Sequence, residues 1–400
     1  MISSHEALVR AEQAARTSYG RILALLVSWT GDVQLAEDAL SDAFERALRS
    51  WPERTPANPD AWLLTAARNR LRDHWRSAEV RRATPLDAEW DAPPVEDDVD
   101  PDAIPDRRLE LMLVCAHPAI GSADRTPLMM STVLGYTAAQ VGAAYAVPSR
   151  TMATRLVRAK RRIKANRIPF RIPGRDALPD RLDAVLEAVY GALSIDWRTA
   201  GPLGPRALAE TVAHLMPTDP EARGLAALAA LLAARAPARS VEQFVPLDRQ
   251  DPTTWDQPLV ALAKDHLSAA HAAGVVGRFQ IEATIALTHS TREPGAEPDW
   301  RTLLGLYDAL LVLAPTLGAR IARAVVMGRL DGPRAGLAAL DAIGTAVDGM
   351  QAAWAARGHL QLSAGERADA AGSLDRAAEL STDDRERQYL QQLAVQAREP

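Results

Sequence analysis

The sequence predicts an all-α fold with more than one domain. Apolar residues recur at the helical spacing of three and four along most of the 400-residue chain, and no convincing run of alternating β-branched residues indicates a strand. The composition is 48% hydrophobic and 24% charged, which is ordinary for globular proteins of two or three domains. We therefore expect helical domains with proper cores rather than disorder.

The first predicted domain is a bundle of three helices over residues 1–82. Its first helix is expected to run from about Glu6 to near Gly31, and Asp32 can cap the second helix. The third helix, within "NPDAWLLTAARNRLRDHWRS", is capped by Asn58 and has a proline at its first position, where the missing N–H costs nothing.

Charge is strongly segregated along the chain. Residues 1–82 carry 12 basic and 11 acidic groups, whereas residues 83–106 carry nine acidic groups, five prolines and no basic group. The latter segment has too little apolar surface to offset the entropy of ordering, so it predicts a flexible acidic linker. Residues 107–175 then hold 13 basic and two acidic groups, and residues 176–400 hold 21 and 29.

The basic segment, residues 107–175, predicts a helix-turn-helix domain. The stretches "RLELMLVCAHPAI" and "TPLMMSTVLG" are expected to be helical. Thr137 and Gln140 then form a capping box that opens a short helix, and Pro148 breaks the chain before a last helix from Ser149.

The last helix, "SRTMATRLVRAKRRI", has two contrasting faces. One face is a stripe expected to be buried, which consists of Met152, Leu156, Ala159 and Ile163. The opposite face presents Arg150, Thr154, Arg158 and Arg161.

Three readings of this basic helix are open: a solvated face, a membrane surface or a nucleic-acid contact. Nucleic acid is favoured, because residues 150–175 contain ten cations and no carboxylate, and an ordinary surface mixes both signs. The apolar stripe is needed for the domain core, which argues against membrane attachment. The residues expected to enter a major groove are Arg150, Thr151, Thr154 and Arg155. Those expected to reach phosphates are Arg158, Lys160, Arg161, Arg162 and Lys164.

A second cluster of cations and aromatic rings lies on the third helix, and consists of Trp62, Arg68, Arg70, Arg72, His74, Trp75 and Arg76. Such rings suit bases taken out of a stack. The alternative, in which Trp62 belongs to the core and the arginines pair with neighbouring acids, is about equally supported by this stretch alone. Together with the basic helix, the cluster predicts two separate contacts with DNA.

An enzyme is not predicted. The sequence contains no glycine-rich phosphate loop, no H-E-x-x-H and no nucleophile elbow. Cys115 and His117 make a poor metal site, and we interpret Cys115 as a buried thiol. No cofactor or metal is expected. A single cysteine, a charged N-terminus and a longest apolar run of ten residues, "LAALAALLAA", predict a cytoplasmic protein with no membrane span.

The remainder, residues 176–400, predicts alanine- and leucine-rich helical pairs. Two helix pairs, with starts at about residues 300 and 351, have a tetratricopeptide-like register, carried by Trp300, Leu303, Tyr307 and Ala319 and by Ala370, Leu374 and Ala377. The two starts differ by 51, which is not a multiple of 34, so the predicted solenoid is degenerate.

The chain resembles an extracytoplasmic-function (ECF) sigma factor of bacterial RNA polymerase. The resemblance is carried, in this order, by "AEDALSDAF", "NPDAWLLTAARNRLRDHWR", the acidic linker and "PSRTMATRLVRAKRRI". Within that family, the chain is similar to the subgroup with a tetratricopeptide-like C-terminal extension. This similarity is carried by "CAHPAI", "VPSRTMATRLVRAKRRIKANRIPFRIP" and the helical tail. The likeness is specific over residues 5–175 and looser beyond them.

The resemblance implies a transcription initiation factor. Its first domain would be sigma region 2 and its helix-turn-helix domain region 4, which would read the minus-thirty-five element. The partners would be core polymerase, through the beta-prime clamp helices and the beta flap, and promoter DNA; the tail would regulate by contacting the sigma domains, polymerase or another protein. The residues implied to dock on the clamp helices are Glu37, Asp38, Ser41, Asp42 and Phe44. Those implied to open and read the minus-ten element are Trp62, Arg68, Asn69, Arg72, Asp73 and Arg76.

The sequence departs from the family in three places. Ala153 stands where many ECF factors have lysine, Ser41 where they commonly have glutamine, and "YGALSIDWRTAG" where the subgroup has a "NEGY"-like segment. Two other functions stay open: an operator-binding helix-turn-helix regulator with a helical sensor tail, and a scaffold protein with incidental basic patches.

Overall fold

The structure is a computed structural model that describes residues 18–53, 56–81, 107–145, 147–170, 178–196, 203–239 and 243–399. Every regular element among these residues is a helix, as the periodicity predicts. The chain divides into two compact units, Met1–Ser194 and Ile195–Pro400. The acidic linker, the expected helix start at Glu6 and Ala146 in the predicted turn lie outside the described residues.

The first unit begins with three helices: α1, described over residues 18–30, α2 (Val33–Ser50) and α3 (Pro59–Arg81). Asp32 caps α2 by accepting hydrogen bonds from the N–H groups of Gln34 and Leu35. Asn58 caps α3 through a 3.0 Å bond from the N–H of Ala61 to its Oδ1. Both caps are as the sequence predicts. The helices bury large apolar side chains that include Ile22, Leu26, Leu40, Leu63, Leu71 and Trp51.

Four helices form the helix-turn-helix part: α4 (Arg108–Cys115), α5 (Ser122–Thr132), α6 (Ala138–Ala144) and α7 (Ser149–Ala165). The predicted capping box of Thr137 and Gln140 is present at the start of α6. Gly142 allows the turn to close, since a Cβ at this position would lie only 2.6 Å from the carbonyl oxygen of Val147. The predicted stripe on α7 is buried.

The boundaries of α4 and α5 differ from the prediction. The stretch "RLELMLVCAHPAI" was expected to be one helix, but α4 ends at Cys115, because a residue that precedes proline, here His117, disfavours the helical conformation. Helix α5 begins at Ser122, ahead of the predicted stretch, and contains Pro127. Pro127 has no N–H, so the carbonyl of Ala123 lacks its usual helical donor.

Helix α8 (Pro179–Asp196) packs on the helix-turn-helix part, although it comes after residue 175, where that domain was predicted to end. The hydroxyl of Tyr136 donates to the carbonyl of Ala192 at 3.3 Å, and Arg181 Nη1 donates to the carbonyl of Leu113 at 2.8 Å. The compact first unit therefore continues to Ser194.

The second unit is a series of helices: α9 (Leu203–Leu215), α10 (Pro220–Ala234), α11 (Ala236–Arg239), α12 (Gln257–His271), α13 (Arg278–Ser290), α14 (Trp300–Leu313), α15 (Leu317–Leu330), α16 (Pro333–Asp341), α17 (Gln351–Ala364), α18 (Arg367–Leu380) and α19 (Asp384–Arg398). From α12 onward each helix packs on the next. Helices begin at Trp300 and Gln351, the two predicted starts, and the aliphatic register residues Leu303, Ala319, Ala370, Leu374 and Ala377 are buried. None of the described helices is long and apolar enough for a membrane span.

Candidate nucleic-acid interface

Helix α7 presents a cationic face to solvent. Seven of the residues predicted to contact DNA are exposed on this helix, namely Arg150, Thr151, Thr154, Arg158, Arg161, Arg162 and Lys164. Within the described part of the chain, none of these four arginines forms an ion pair. The Thr154 hydroxyl donates to the carbonyl of Arg150 at 3.0 Å, which holds it against the helix. The free guanidinium groups form a surface suited to phosphates.

Arg155 has an intramolecular role that the sequence did not reveal. Its Nη2 donates to the carbonyl of Ala123 at 2.9 Å, and its Nε donates to Asp124 Oδ1 at 2.9 Å. The Ala123 carbonyl is the one that Pro127 leaves without a helical donor. Arg155 therefore ties α7 to α5, and only about 30% of its side chain is exposed. The available signal was Asp124, one of only two acids in residues 107–175.

Two lysines predicted to reach phosphates bind carboxylates of the first three helices. Lys160 Nζ lies 2.6 Å from both carboxylate oxygens of Glu37, and the two side chains are only 13% and 12% exposed. Lys164 Nζ lies 2.6 Å from Asp32 Oδ2, but the Lys164 side chain is 72% exposed. The Lys160–Glu37 pair is thus nearly buried, whereas the Lys164–Asp32 pair is open to solvent.

Burial raises the pKa of Glu37, although Lys160 acts in the opposite direction. Glu37 also contributes to a raised pKa of the Tyr19 hydroxyl, which burial chiefly causes. Cys115 is fully buried as predicted, and burial raises the pKa of its thiol to about 12. Helix α1 also approaches the helix-turn-helix part closely, since a Cβ added at Gly20 would lie only 2.0 Å from the carbonyl oxygen of Val133. Helices α1 and α2 therefore pack tightly against the helix-turn-helix part.

The predicted minus-ten residues on α3 fall into two groups. Asn69, Asp73 and Arg76 are exposed, as are His74 and Trp75. Trp62, Arg68 and Arg72 are half-buried. The Trp62 ring packs edge-on against Trp51 with centroids 5.7 Å apart, and the Arg68 guanidinium lies 5.6 Å from the ring centroid of Trp29. Trp62 and Arg68 thus support the core while keeping part of their surface accessible.

The residues implied to dock on polymerase are also divided. Asp38 and Ser41 are exposed, whereas Glu37 is held by Lys160. Asp42 forms an ion pair with Arg70. Phe44 is half-buried, and its ring stacks on Tyr19 with centroids 6.4 Å apart. The geometry thus brings one implied docking residue, Glu37, into contact with one implied DNA contact, Lys160.

Comparison with known proteins bears on both halves of the chain. The family described as sigma-70 region 2 matches residues 14–81, and a family of unknown function (DUF6596) matches residues 181–271. Residues 181–271 begin within α8, and the match assigns no tetratricopeptide repeat to the extension.

Two relatives cover different shares of the chain. The uncharacterized protein R00370 of Rhizobium meliloti (strain 1021) is 31% identical over 393 residues, which is 94% of this chain and 93% of that protein. The probable ECF RNA polymerase sigma factor SigI of Mycobacterium tuberculosis is 29% identical over 171 residues, which is 42% of this chain and 58% of that protein. No solved structure matches. The chain belongs to the family of the R00370 protein, and its residues 14–81 match sigma-70 region 2.

Proposed function

We propose that the chain is an RNA polymerase sigma factor that binds core polymerase and directs promoter-specific initiation. The observation that carries the proposal is the sigma-70 region 2 match over residues 14–81, followed in the same compact unit by a helix-turn-helix with an exposed cationic face. The similarity to a probable ECF sigma factor supports the same function. The protein would act by binding, not by catalysis.

In this proposal the exposed face of α7 reads the minus-thirty-five element. Arg150, Thr151 and Thr154 enter the groove, while Arg158, Arg161 and Arg162 contact phosphates. On α3 the exposed Asn69, Asp73 and Arg76, with the accessible parts of Trp62, Arg68 and Arg72, read the minus-ten element. The acidic residues 83–106 would lie in the polymerase cleft, where nine carboxylates could mimic nucleic acid.

The polymerase contact would use α2, through Glu37, Asp38, Ser41, Asp42 and Phe44. Because Lys160 covers Glu37, the arrangement described here is a closed one, and docking of Glu37 on polymerase requires α2 and α7 to separate. Separation would also free Lys160 and Lys164 for phosphates.

The test is run-off transcription from a promoter with both elements, using core polymerase with and without the full chain. Specific transcripts that depend on the chain are expected. A chain that neither binds core nor starts transcription would refute the proposal. If that chain then shifted duplex DNA on its own, the operator-binding regulator would replace it.

We further propose that the extension is a tetratricopeptide-like regulatory domain. Helices α14 and α15, and likewise α17 and α18, are pairs of 14-residue helices with short connections, which supports that architecture. Truncation after Ser194 should retain core binding and change the yield or regulation of transcripts. Transcripts unchanged in both respects would contradict a regulatory role.

A further inference from the structure

The second unit contains a cavity of about 310 Å³ that none of the proposed sigma functions uses. It lies among α13, α14, α15, α17 and α19 and the segment around residues 246–249. Its aromatic wall is formed by His289, Trp300, Tyr307, His359 and Tyr389. At about 30 Å³ for each water-sized group, the cavity holds about ten such groups, which is the size of a single-ring organic molecule.

Two polar atoms in this wall are buried and have no hydrogen-bond partner among the residues that the structure describes. They are Nδ1 of His289, a residue that is only 7% exposed, and the hydroxyl of Tyr389. Buried polar groups are normally paired, because leaving one unpaired costs free energy. A ligand that carries a donor and an acceptor would satisfy both groups. Neighbouring atoms cover both groups, so a ligand would reach them only after side chains move.

The aromatic rings of the wall offer flat apolar surfaces more than hydrogen-bonding groups. The Nε1–H of Trp300 already donates to Glu297 at 2.9 Å, which leaves its ring as an apolar wall. The rings of His359 and Tyr389 lie 6.2 Å apart, and the Arg329 guanidinium lies 5.5 Å from the Trp300 centroid. Flat ring faces of this kind favour a planar ligand.

The cavity wall carries two arginines, Arg249 and Arg329, and one aspartate, Asp248, but Arg249 is exposed, so solvent screens its charge. Arg329 pairs with Asp248 at 2.8 Å. Burial, with Arg235 and Arg292 in smaller part, lowers the pKa of His289 to about 4, and burial also lowers the pKa of His359. Both imidazoles are therefore neutral at pH 7. A cationic ligand would face Arg249 and Arg329, whereas an anionic one would have to pair with the solvent-exposed Arg249 or compete with Asp248 for Arg329.

We propose that this cavity binds a small, uncharged, planar aromatic molecule that carries hydroxyl or amide groups, and that the C-terminal unit is thereby a ligand-sensing domain. The proposal does not depend on the sigma function, since it stands on the second unit alone.

Three probes that share a phenol ring and differ in charge test it in the full chain: 4-hydroxybenzamide (neutral), 4-hydroxybenzoate (anion) and tyramine (cation). Saturation-transfer NMR measures binding of each probe, and the imidazole resonances of His289 and His359 report its location. We expect saturable binding of 4-hydroxybenzamide in the millimolar range or tighter, with the charged probes at least about tenfold weaker because burying an unpaired charge is costly.

Variants locate the site. Tyr389→Phe removes only the unpartnered hydroxyl and should weaken binding of 4-hydroxybenzamide about three- to tenfold. Ala322→Phe fills the cavity and should abolish binding, whereas Ala352→Phe, at an exposed position of α17, should leave it unchanged. Thermal melting of each variant shows whether it folds, and Tyr389→Phe remains informative if Ala322→Phe does not.

Three results would overturn the proposal. One is no saturable binding of any probe in the millimolar range, which would mean that the cavity holds water. Another is tighter binding of a charged probe than of the neutral one. The third is binding that neither Ala322→Phe nor Tyr389→Phe alters.

Discussion

Replacement of Lys160 by methionine should open the closed arrangement of the first unit. Methionine keeps most of the length of the lysine side chain and removes its charge, so Glu37 is left buried and unpaired. Burial already raises the pKa of Glu37 with Lys160 present, which shows how poorly the site tolerates an uncompensated carboxylate.

The magnitude follows from the burial of the pair. Breaking a buried ion pair by removing one partner typically costs about 3–5 kcal/mol. With side chains 13% and 12% exposed, we take the lower end, about 3 kcal/mol. At about 1.4 kcal/mol per factor of ten, this changes the ratio of closed to open arrangement about 100-fold.

The assay combines a distance and an affinity. Cysteines introduced at the exposed Leu48 and Val157 carry a dye pair on α2 and α7, while the native Cys115 is protected by burial and by a pKa of about 12. Lys160→Met should lengthen the dye distance and tighten binding to core polymerase, because Glu37 no longer has to be released.

The matched control is Lys164→Met. The Lys164 side chain is 72% exposed, and exposed pairs contribute only about 0–1 kcal/mol, so this variant should change neither measurement appreciably. The reasoning is refuted if the two methionine variants behave alike, or if Lys160→Met leaves the dye distance unchanged.

Three further predictions concern single residues. Arg150→Ala should weaken promoter binding in a gel-shift assay without a change in melting temperature. Arg155→Ala should instead lower the free energy of unfolding by about 1–3 kcal/mol in urea, because the Ala123 carbonyl and the Asp124 carboxylate lose their donor. Equal stability of the two variants would contradict this. Gly142→Ala should cost about 1–3 kcal/mol in the same assay, because its Cβ would meet the carbonyl of Val147, and a neutral result would mean that the turn relaxes freely. The pKa of His289 is lowered from 6.5 to about 4, so the protein should lose about 3 kcal/mol of stability as the pH falls from 6.5 towards 4 and this imidazole becomes protonated. His289→Gln should reduce the slope of the unfolding free energy against pH in this range. An unchanged slope would exclude His289 as its source.

Features set by neighbouring residues were predictable from the sequence. The caps at Asp32 and Asn58, the capping box at Thr137 and the buried stripe on α7 each depend on residues within a few positions, so spacing alone specifies them. The end of α4 differs from the prediction because the apolar pattern continues past Cys115, whereas Pro118 disfavours the helical conformation of the residue before it.

Contacts between distant segments were not predictable. Lys160 and Glu37 are 123 positions apart, and each has an independent interpretation as a DNA or polymerase contact. The same holds for Arg155, whose basic character fits a groove contact equally well. Its role in tying α7 to α5 depends on Pro127, which leaves the carbonyl of Ala123 without a helical donor.

Helix α8 has a consequence for how the family can evolve. The matched family of unknown function begins within this helix, yet its side chains and backbone complete the packing of the helix-turn-helix part through Tyr136, Met130 and Leu113. Recombination near residue 175 would therefore not exchange the extension as an independent domain, because it would also remove α8 from the helix-turn-helix part. A descendant that lost it there would have to evolve a new cover for the apolar surface beneath α8, so inheritance is expected to keep α8 with the helix-turn-helix part.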